Sequence, residues 1–324
     1  MKAVLWTAYG PPEVLQLTDL RRPEPKDNEV LIRVHAATVT AGDCEARELR
    51  FPLQFRIPIR LYIGLTRPTR VTILGQELAG EIAGVGRNVT RFKVGDAVFS
   101  ATYFRFSAYA EYACLPEAYP RLKPANLTYE EAAALPTGGI NAMHFVRKAG
   151  IRPGERLSIN GAGGSIGTCA IQIARHFGAE VVAVDSAGKL DLLRSLGADR
   201  VIDYTRQDFT RLGETFDAII DVAGTSPFSR SLNVLTAQGR YVLGNPRISS
   251  MLRGRWASLT TGKRVIFEMA AYRDDDYDTL LKLVEAGVVK SVIDRRYPLS
   301  QTAEAHRYVE SGQKKGNVII TMDR

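Results

Sequence analysis

The chain has 324 residues, 45% hydrophobic and 24% charged, and 43 Lys and Arg against 35 Asp and Glu give it a net charge of +8. A chain of this size holds about two domains and a sizeable core, and its even composition excludes a disordered or collagen-like protein. No apolar run approaches the roughly 20 residues needed to cross a bilayer, and Cys44, Cys114 and Cys169, widely spaced and without a Cys-x-x-Cys, point away from a disulfide framework or structural zinc and toward a reducing cytoplasm.

Met1-Lys2-Ala3-Val4-Leu5-Trp6 reads as a first strand rather than a signal peptide. To about residue 120, short strands alternate with turns. Pro11-Pro12, Pro23-Glu24-Pro25 and Asp27-Asn28 punctuate the segment, and strands are predicted over 30–36, 78–85 and 97–99. Short strands broken by Gly and Pro predict a small barrel-like β unit. From Thr128 the pattern changes. Thr128-Tyr129-Glu130-Glu131 has the form of a capped helix start, and a second helix is predicted over 141–148. Strands and helices then alternate through 156–160, 166–177, 181–185, 189–196, 201–202, 218–222, 229–235 and 240–243, the signature of βαβ units in a doubly wound parallel sheet. Helices over 279–286 and 302–311 and a strand over 317–321 complete the chain.

The most informative stretch is Leu157-Ser158-Ile159-Asn160-Gly161-Ala162-Gly163-Gly164-Ser165-Ile166-Gly167. It reads as a buried strand, a glycine-rich turn and a helix starting near Ser165, an arrangement that aims backbone N–H groups and a helix N-terminus at a diphosphate. The spacing Gly161, Gly164, Gly167 departs from the strict Gly-x-Gly-x-x-Gly fingerprint. About twenty residues on, a second strand ends at Asp185, where a ribose-recognising group belongs.

Several stretches in order over nearly the whole chain resemble the medium-chain dehydrogenase/reductase superfamily, on its zinc-free quinone oxidoreductase and enone reductase side. They are 11–15, Gly75-Gln76-Glu77-Leu78-Ala79-Gly80-Glu81-Ile82 through Gly86, Phe92-Lys93-Val94-Gly95-Asp96-Ala97-Val98-Phe99, Glu131-Ala132-Ala133-Ala134-Leu135-Pro136, the glycine turn, and Leu196-Gly197-Ala198-Asp199 followed by Val201-Ile202-Asp203-Tyr204. The resemblance implies an α/β protein with a GroES-like β-rich catalytic domain over 1–122 and 268–324 and a Rossmann domain over 123–267, an active site in the cleft, and a homodimer. It implies hydride transfer from NADPH, or NADH, to a lipophilic quinone or α,β-unsaturated carbonyl. An enoyl thioester reductase, a zinc-free alcohol dehydrogenase-like enzyme and a non-catalytic NADPH-binding protein are the alternatives.

Zinc-dependent relatives carry Gly-His-Glu where this chain has Gly75-Gln76-Glu77, and Gln is a poor zinc ligand. Cys44 falls a few residues past the place of their ligating cysteine, and His35, His144, His176 and His306 have no paired metal spacing. No metal is therefore expected. A quinone or enone is already polarised and needs no Lewis acid.

For the cofactor's ribose, Asp185 favours NADH, because a carboxylate accepts from ribose hydroxyls and repels a 2′-phosphate. Lys189 and Tyr204 match positions that hold the 2′-phosphate in the resembled reductases, and Ser186 adds a hydroxyl, which favours NADPH. Thr137, Gly161, Gly164, Ser165, Ile166, Gly167, Val222, Ala223, Leu243 and Gly244 complete the expected cofactor contacts, with Lys315 and Asn317 from a matching C-terminal segment. For catalysis, Thr40 stands where many relatives carry Asn and is expected to donate one hydrogen bond to a substrate carbonyl, with Asp43 bracing the loop. Tyr62 is the expected proton donor, with Tyr103, Tyr109 and water as rivals. Two stretches, 50–76 and 245–267, hold arginines and apolar residues without a single acid. They are read as a mouth for a lipophilic or anionic substrate, as peripheral contact with an anionic membrane, or as ordinary solvated surface. Nucleic acid is not expected, since no recognition motif accompanies the charge.

Overall fold

The structure is a computed structural model that describes residues 1–51, 53–246, 248–268, 270 and 273–322, with backbone alone at 53 and 54. The chain divides into two compact units, Met1–Pro136 with Val292–Arg324, and Thr137–Ser291.

In the first unit, β1 (Lys2–Trp6) and β2 (Leu15–Asp19) pair antiparallel across the Pro11-Pro12 turn. β3 (Glu29–Thr38) is buried along most of its length and is the spine of the main sheet. Two helices follow, α1 (Ala41–Glu48) and α2 (Leu53–Ile63). The strand-and-turn reading of this stretch misses both. α1 starts on a capping box in which Thr40 and Asp43 satisfy each other's backbone N–H groups, and its eight residues carry too little apolar periodicity to stand out. α2 carries Pro58 within it, a residue that ordinarily argues against a helix. β4 (Glu77–Val85), β5 (Ala97–Ala101), β6 (Tyr112–Pro116) and β7 (Arg121–Leu122) then extend the sheet. A Cβ at Gly80 would lie 2.1 Å from the Arg33 carbonyl oxygen, so only glycine lets β4 lie this close to β3. α3 (Tyr129–Ala133) opens on the expected Thr128–Glu131 capping box.

The second unit runs α4 (Asn141–Ala149), β8 (Arg156–Asn160), α5 (Ser165–His176), β9 (Glu180–Asp185), α6 (Leu190–Ser195), β10 (Arg200–Asp203), β11 (Phe216–Asp221), α7 (Phe228–Asn233), β12 (Leu235–Leu243), α8 (Ile248–Thr260), β13 (Arg264–Ile266) and α9 (Asp274–Glu285). Its strands form one parallel sheet in the order β10-β9-β8-β11-β12-β13. The chain works outward from β8 in one direction, returns to β11, and works outward in the other, so the order reverses between β8 and β11. The apolar runs of β8, β9 and β11 are buried, as strands covered on both faces must be.

The chain then returns to the first unit. β14 (Ile293–Pro298), α10 (Thr302–Glu310) and β15 (Asn317–Thr321) complete it, with β15 antiparallel to β3 and parallel to β14. Both crossings between units lie later in the chain than residues 122 and 268. α3 packs on β3 and β4, which keeps it in the first unit. α9 packs on α4 and on the turn before it, where a Cβ at Gly139 would lie 2.6 Å from Leu280 Cδ2, which keeps it in the second.

Candidate functional site

At the reversal of strand order, β8 ends and the glycine turn begins. Gly161 holds φ +80°, a conformation that favours glycine. The N–H groups of Gly161 and Ala162 donate to the Val184 carbonyl at 3.1 and 3.2 Å, pinning the turn to β9. A Cβ at Gly167 would lie 2.5 Å from Ala162 Cα and from the carbonyl oxygens of Gly161 and Ala162, so the first turn of α5 packs on the loop's backbone. α5 begins from Gly164 with no side-chain cap and no acid in its first turn. Its positive end is thus left for an anion, as a diphosphate requires. Ser165 and Ile166 are its first two residues.

Asp185, at the end of β9, is 5% exposed and Lys189 is 8% exposed. Asp185 Oδ2 accepts from Gly163 N at 2.7 Å, and Oδ1 accepts from Ser186 N at 2.8 Å and from Lys189 Nζ at 3.0 Å. A Cβ at Gly163 would lie 2.4 Å from Lys189 Cδ, so the lysine stem lies against the turn. Asp185 is therefore a brace beneath the glycine turn, with its charge matched by Lys189. Tyr204 donates its N–H to the Asp185 carbonyl at 3.1 Å and is 59% exposed.

The remaining strand ends converge on the same edge. Asp221, at the end of β11, accepts from Asn160 Nδ2 at 2.8 Å and from Gly224 N at 2.9 Å, which folds the Val222-Ala223-Gly224 turn over β8. Gly244 N donates to the Asp221 carbonyl at 2.9 Å, which brings Leu243-Gly244 beside it. Thr137 lies in a π-helical turn, Pro136–Ile140, where a Cβ at Gly138 would be 3.1 Å from the Ser165 carbonyl oxygen. The structure thus gathers every expected cofactor residue of the second unit at the carboxyl end of its sheet, where open α/β sheets bind ligands. These residues fit a dinucleotide. Lys315 and Asn317 belong to the first unit. Lys315 is exposed and donates its backbone N–H to Asp294 at 2.8 Å, while Asn317 Nδ2 donates to the Val292 carbonyl at 3.0 Å.

In the first unit, the Thr40 hydroxyl donates to Asp43 Oδ2 at 2.7 Å and accepts from Asp43 N at 3.1 Å. Its one proton goes to the cap, not to the expected substrate carbonyl. Asp43 is fully buried and also accepts from Thr40 N at 3.0 Å and Gly75 N at 3.2 Å. Burial raises its carboxyl to about 6, against the pull of those bonds. Tyr62 directs its hydroxyl at the Phe104 carbonyl, 3.3 Å away, with the Arg70 guanidinium 4.3 Å from its ring centre. Tyr109 is wholly buried and donates to the Thr38 carbonyl at 3.2 Å, which removes it as a proton donor to any substrate. Tyr103 packs edge-on against Tyr119 at 4.5 Å.

Sequence reasoning missed a buried polar chain behind Asp43. Arg47, 0% exposed, donates to Glu310 Oε1 at 2.6 Å, to the Gly10 carbonyl at 2.9 Å and to His306 Nδ1 at 3.0 Å. His306 Nδ1 is then an acceptor, so Nε2 carries the proton and donates to the Tyr109 hydroxyl at 3.3 Å. Burial, helped by Arg47, pushes the His306 imidazole down to about 3, so it is neutral. Arg47 lies 259 positions from His306 and 263 from Glu310 in sequence, and no local motif joins them.

The place matching a zinc ligand set does not fit the metal. Gln76 supplies an amide, and its Nε2 would lie 2.7 Å from a Cβ at Gly42. Glu77 is buried and accepts from the Thr38 hydroxyl. Cys44 Sγ lies 3.4 Å from His306 Nδ1, whose lone pair is taken by Arg47, and burial raises its thiol far above the usual range. Among the described residues no cluster of three or more His, Cys, Asp or Glu is placed to hold an ion.

Residues 26–126 match the family model of the alcohol dehydrogenase GroES-like domain, and residues 196–320 match that of a zinc-binding dehydrogenase. The chain is 32% identical to 2-methylene-furan-3-one reductase of Solanum lycopersicum, over 99% of this chain and 79% of that protein. It is 30% identical to the chloroplastic NADPH-dependent alkenal/one oxidoreductase of Arabidopsis thaliana, with the same coverage. The solved structure of the quinone oxidoreductase from Coxiella burnetii superposes with a TM-score of 0.89 at 28% identity, over 100% of this chain and 99% of that one.

Proposed function

The chain belongs to the medium-chain dehydrogenase/reductase superfamily, in its quinone oxidoreductase branch, and from that premise we propose that it is a zinc-independent, NADPH-dependent reductase of quinones and α,β-unsaturated carbonyls. One observation carries the reading. The dinucleotide turn is built in full, braced by Asp185 and Lys189, while the zinc position holds an amide and a hydrogen-bonded carboxylate. The relatives' activities, reduction of a methylene-furanone and of alkenals and alkenones, agree with it.

A bound reduced nicotinamide dinucleotide would supply the hydride for a quinone carbonyl or for the β-carbon of an enone. The chain's residues bind and orient. The N-terminus of α5 would hold the diphosphate, while the N–H groups of Gly161, Ala162 and Gly163 are bonded within the chain and shape the turn beneath it. Lys189, Ser186 and Tyr204 receive the 2′-phosphate, and pairing to Lys189 blunts the repulsion that Asp185 would otherwise exert. Val222, Ala223, Leu243, Gly244 and Thr137 line the nicotinamide end. Thr40 reaches an acceptor carbonyl only by turning its proton away from Asp43, so the compensating proton comes from water in this reading. The three widely spaced cysteines, Cys44, Cys114 and Cys169, none in a disulfide, suit a reducing compartment such as the cytosol. A homodimer is part of the same proposal, to be checked by light scattering.

The test is oxidation of NADPH and NADH side by side with 1,4-benzoquinone, 9,10-phenanthrenequinone and a short enone. Turnover with NADPH preferred is expected. Turnover of a plain alcohol that tracks bound zinc would overturn the reading.

A further inference from the structure

The expected donors of the first unit are spoken for. The Thr40 proton goes to Asp43 at 2.7 Å, the Tyr62 hydroxyl faces the Phe104 carbonyl at 3.3 Å, and Tyr109 is buried on the Thr38 carbonyl. Gln76 is different. It is partly buried, and among the described residues nothing hydrogen-bonds its carboxamide. Its backbone is nonetheless fixed. Gly75 N donates to Asp43 Oδ1 at 3.2 Å, the Thr102 hydroxyl donates to the Gly75 carbonyl at 3.0 Å, and Thr102 N donates to the Gln76 carbonyl at 2.8 Å. Gly75 holds φ +99°, and a Cβ there would lie 2.7 Å from Ala108 Cβ, so the turn that aims Gln76 needs glycine.

The side chain is seated as well. A Cβ at Gly42 would lie 2.7 Å from Gln76 Nε2 and 3.4 Å from Oε1, so the carboxamide rests on the bare Cα of Gly42 in the first turn of α1. Gly42 does not hold a positive φ, and glycine in a helix is less stable than alanine. The space taken by the amide therefore accounts for this glycine, where backbone conformation does not. Thr40 is the N-cap of the same turn, and it is there that the resemblance places the acceptor carbonyl.

We propose that the Gln76 carboxamide donates a hydrogen bond to the carbonyl oxygen of the acceptor, and that Gly42 keeps the room it needs. The proposal rests on the reductase reading and names the donor which that reading leaves open. Hydride addition at the β-carbon of an enone moves the π electrons onto the carbonyl oxygen, and a proton from water then adds at the α-carbon. A neutral N–H aimed at that oxygen stabilises the charge that develops on it. It gives up no proton, so water still closes the balance.

The test includes a readout that needs no turnover. 4-Dimethylaminocinnamaldehyde is an enal whose absorption band moves to the red when a donor polarises its carbonyl. It is mixed with the full chain and NADP+, so that no hydride is available. A red shift is expected with wild type and its loss with Gln76→Met, a side chain of similar length without an N–H. With NADPH and a short enone, kcat/KM of Gln76→Met should fall about 100-fold, the low end for one lost oxyanion donor. NADPH affinity, from fluorescence titration, should stay within about twofold, because an interaction made with the acceptor does not enter cofactor binding. Gly42→Ala pushes the amide off its seat without touching its chemistry. Its melting temperature should equal or exceed that of wild type, since alanine favours the helix. Its kcat/KM should still fall at least about tenfold, the effect of a misplaced group. A red shift in wild type without turnover of any acceptor would retain the Gln76 donor and remove the reductase reading. Turnover by wild type with folded Gln76→Met within about threefold of it overturns the donor. So does a band that shifts equally in both proteins, or a Gln76→Met variant that loses NADPH as much as it loses the enone. Neither shift nor turnover in wild type overturns both.

Discussion

Replacing Lys189 with Met tests whether the lysine serves the protein, the cofactor or both. Lys189 and Asp185 lie 3.0 Å apart with side chains 10% and 7% exposed. At an effective dielectric near 20 the gross attraction is about 5 kcal/mol. Desolvation offsets much of it, yet removing one partner of a buried pair still costs about 3–5 kcal/mol, because the other charge is left behind. Asp185 would keep the N–H groups of Gly163 and Ser186, so the lower end, about 3 kcal/mol, is expected for Lys189→Met. The double variant with Asp185→Asn should lose less than the sum of the two single losses, with a coupling of about 1–2 kcal/mol. Urea unfolding followed by circular dichroism gives these values. Fluorescence titration gives the second half. If the ammonium also meets a 2′-phosphate, Lys189→Met weakens NADPH roughly 10- to 100-fold, the range of a hydrogen bond to a charged group, and leaves NADH nearly unchanged. Unfolding within about 0.5 kcal/mol of wild type would refute the brace. An equal loss of NADPH and NADH would refute the phosphate contact.

Three further outcomes are expected. Gly167→Ala puts a methyl group 2.5 Å from three backbone atoms. It should cost about 1–3 kcal/mol of stability and abolish tight binding of either cofactor, as measured by unfolding and titration. Thr40→Ala removes an N-cap and should cost about 1 kcal/mol. If the reading of Thr40 as tied to its cap is right, turnover per folded molecule stays within a few-fold of wild type. Asp43 and His306 give opposed pH dependences. The Asp43 carboxyl is raised from 3.8 to about 6, so the folded state holds the extra proton between those values and this group adds stability as pH falls from about 6 to about 4. His306 is lowered from 6.5 to about 3, so the unfolded state takes the proton first and this group removes stability as pH falls below about 6.5. Asp43→Asn deletes only the first effect. Relative to wild type, the variant should lose about 2 kcal/mol between pH 7 and pH 4.5, and parallel curves at the two pH values would count against a buried, proton-binding Asp43.

The parallel sheet was legible because each of its signals is local. Runs such as Val181-Val182-Ala183-Val184 carry their own strand pattern, and the glycine turn carries its own geometry. α8 and β13 were not legible. The apolar residues of α8 are diluted by serines, a glycine and arginines, and β13 has only three residues. The edges of the units failed for another reason. Whether α3 or α9 belongs to one unit or the other depends on what it packs against, and no window of sequence contains that partner.

The two halves of the candidate site differ in the same way. Gly161, Gly163, Asp185 and Lys189 lie within thirty positions of each other, and the chemistry that recognises a diphosphate is mostly backbone, so a short motif suffices. Asp185 shows the limit even there. Its type and place read equally well as a ribose acceptor, and only its bonds to Gly163, Ser186 and Lys189 make it a brace. In the first unit, Thr40 and Asp43 were read as a donor and its support. The structure joins them in one cap, with Tyr109, His306 and Arg47 packed behind. Such a buried network is stable only when every member is satisfied, so its residues answer to one another before they answer to a substrate. That is the physical ground for assigning hydride acceptance to orientation by the fold and proton supply to water, rather than to a single placed acid.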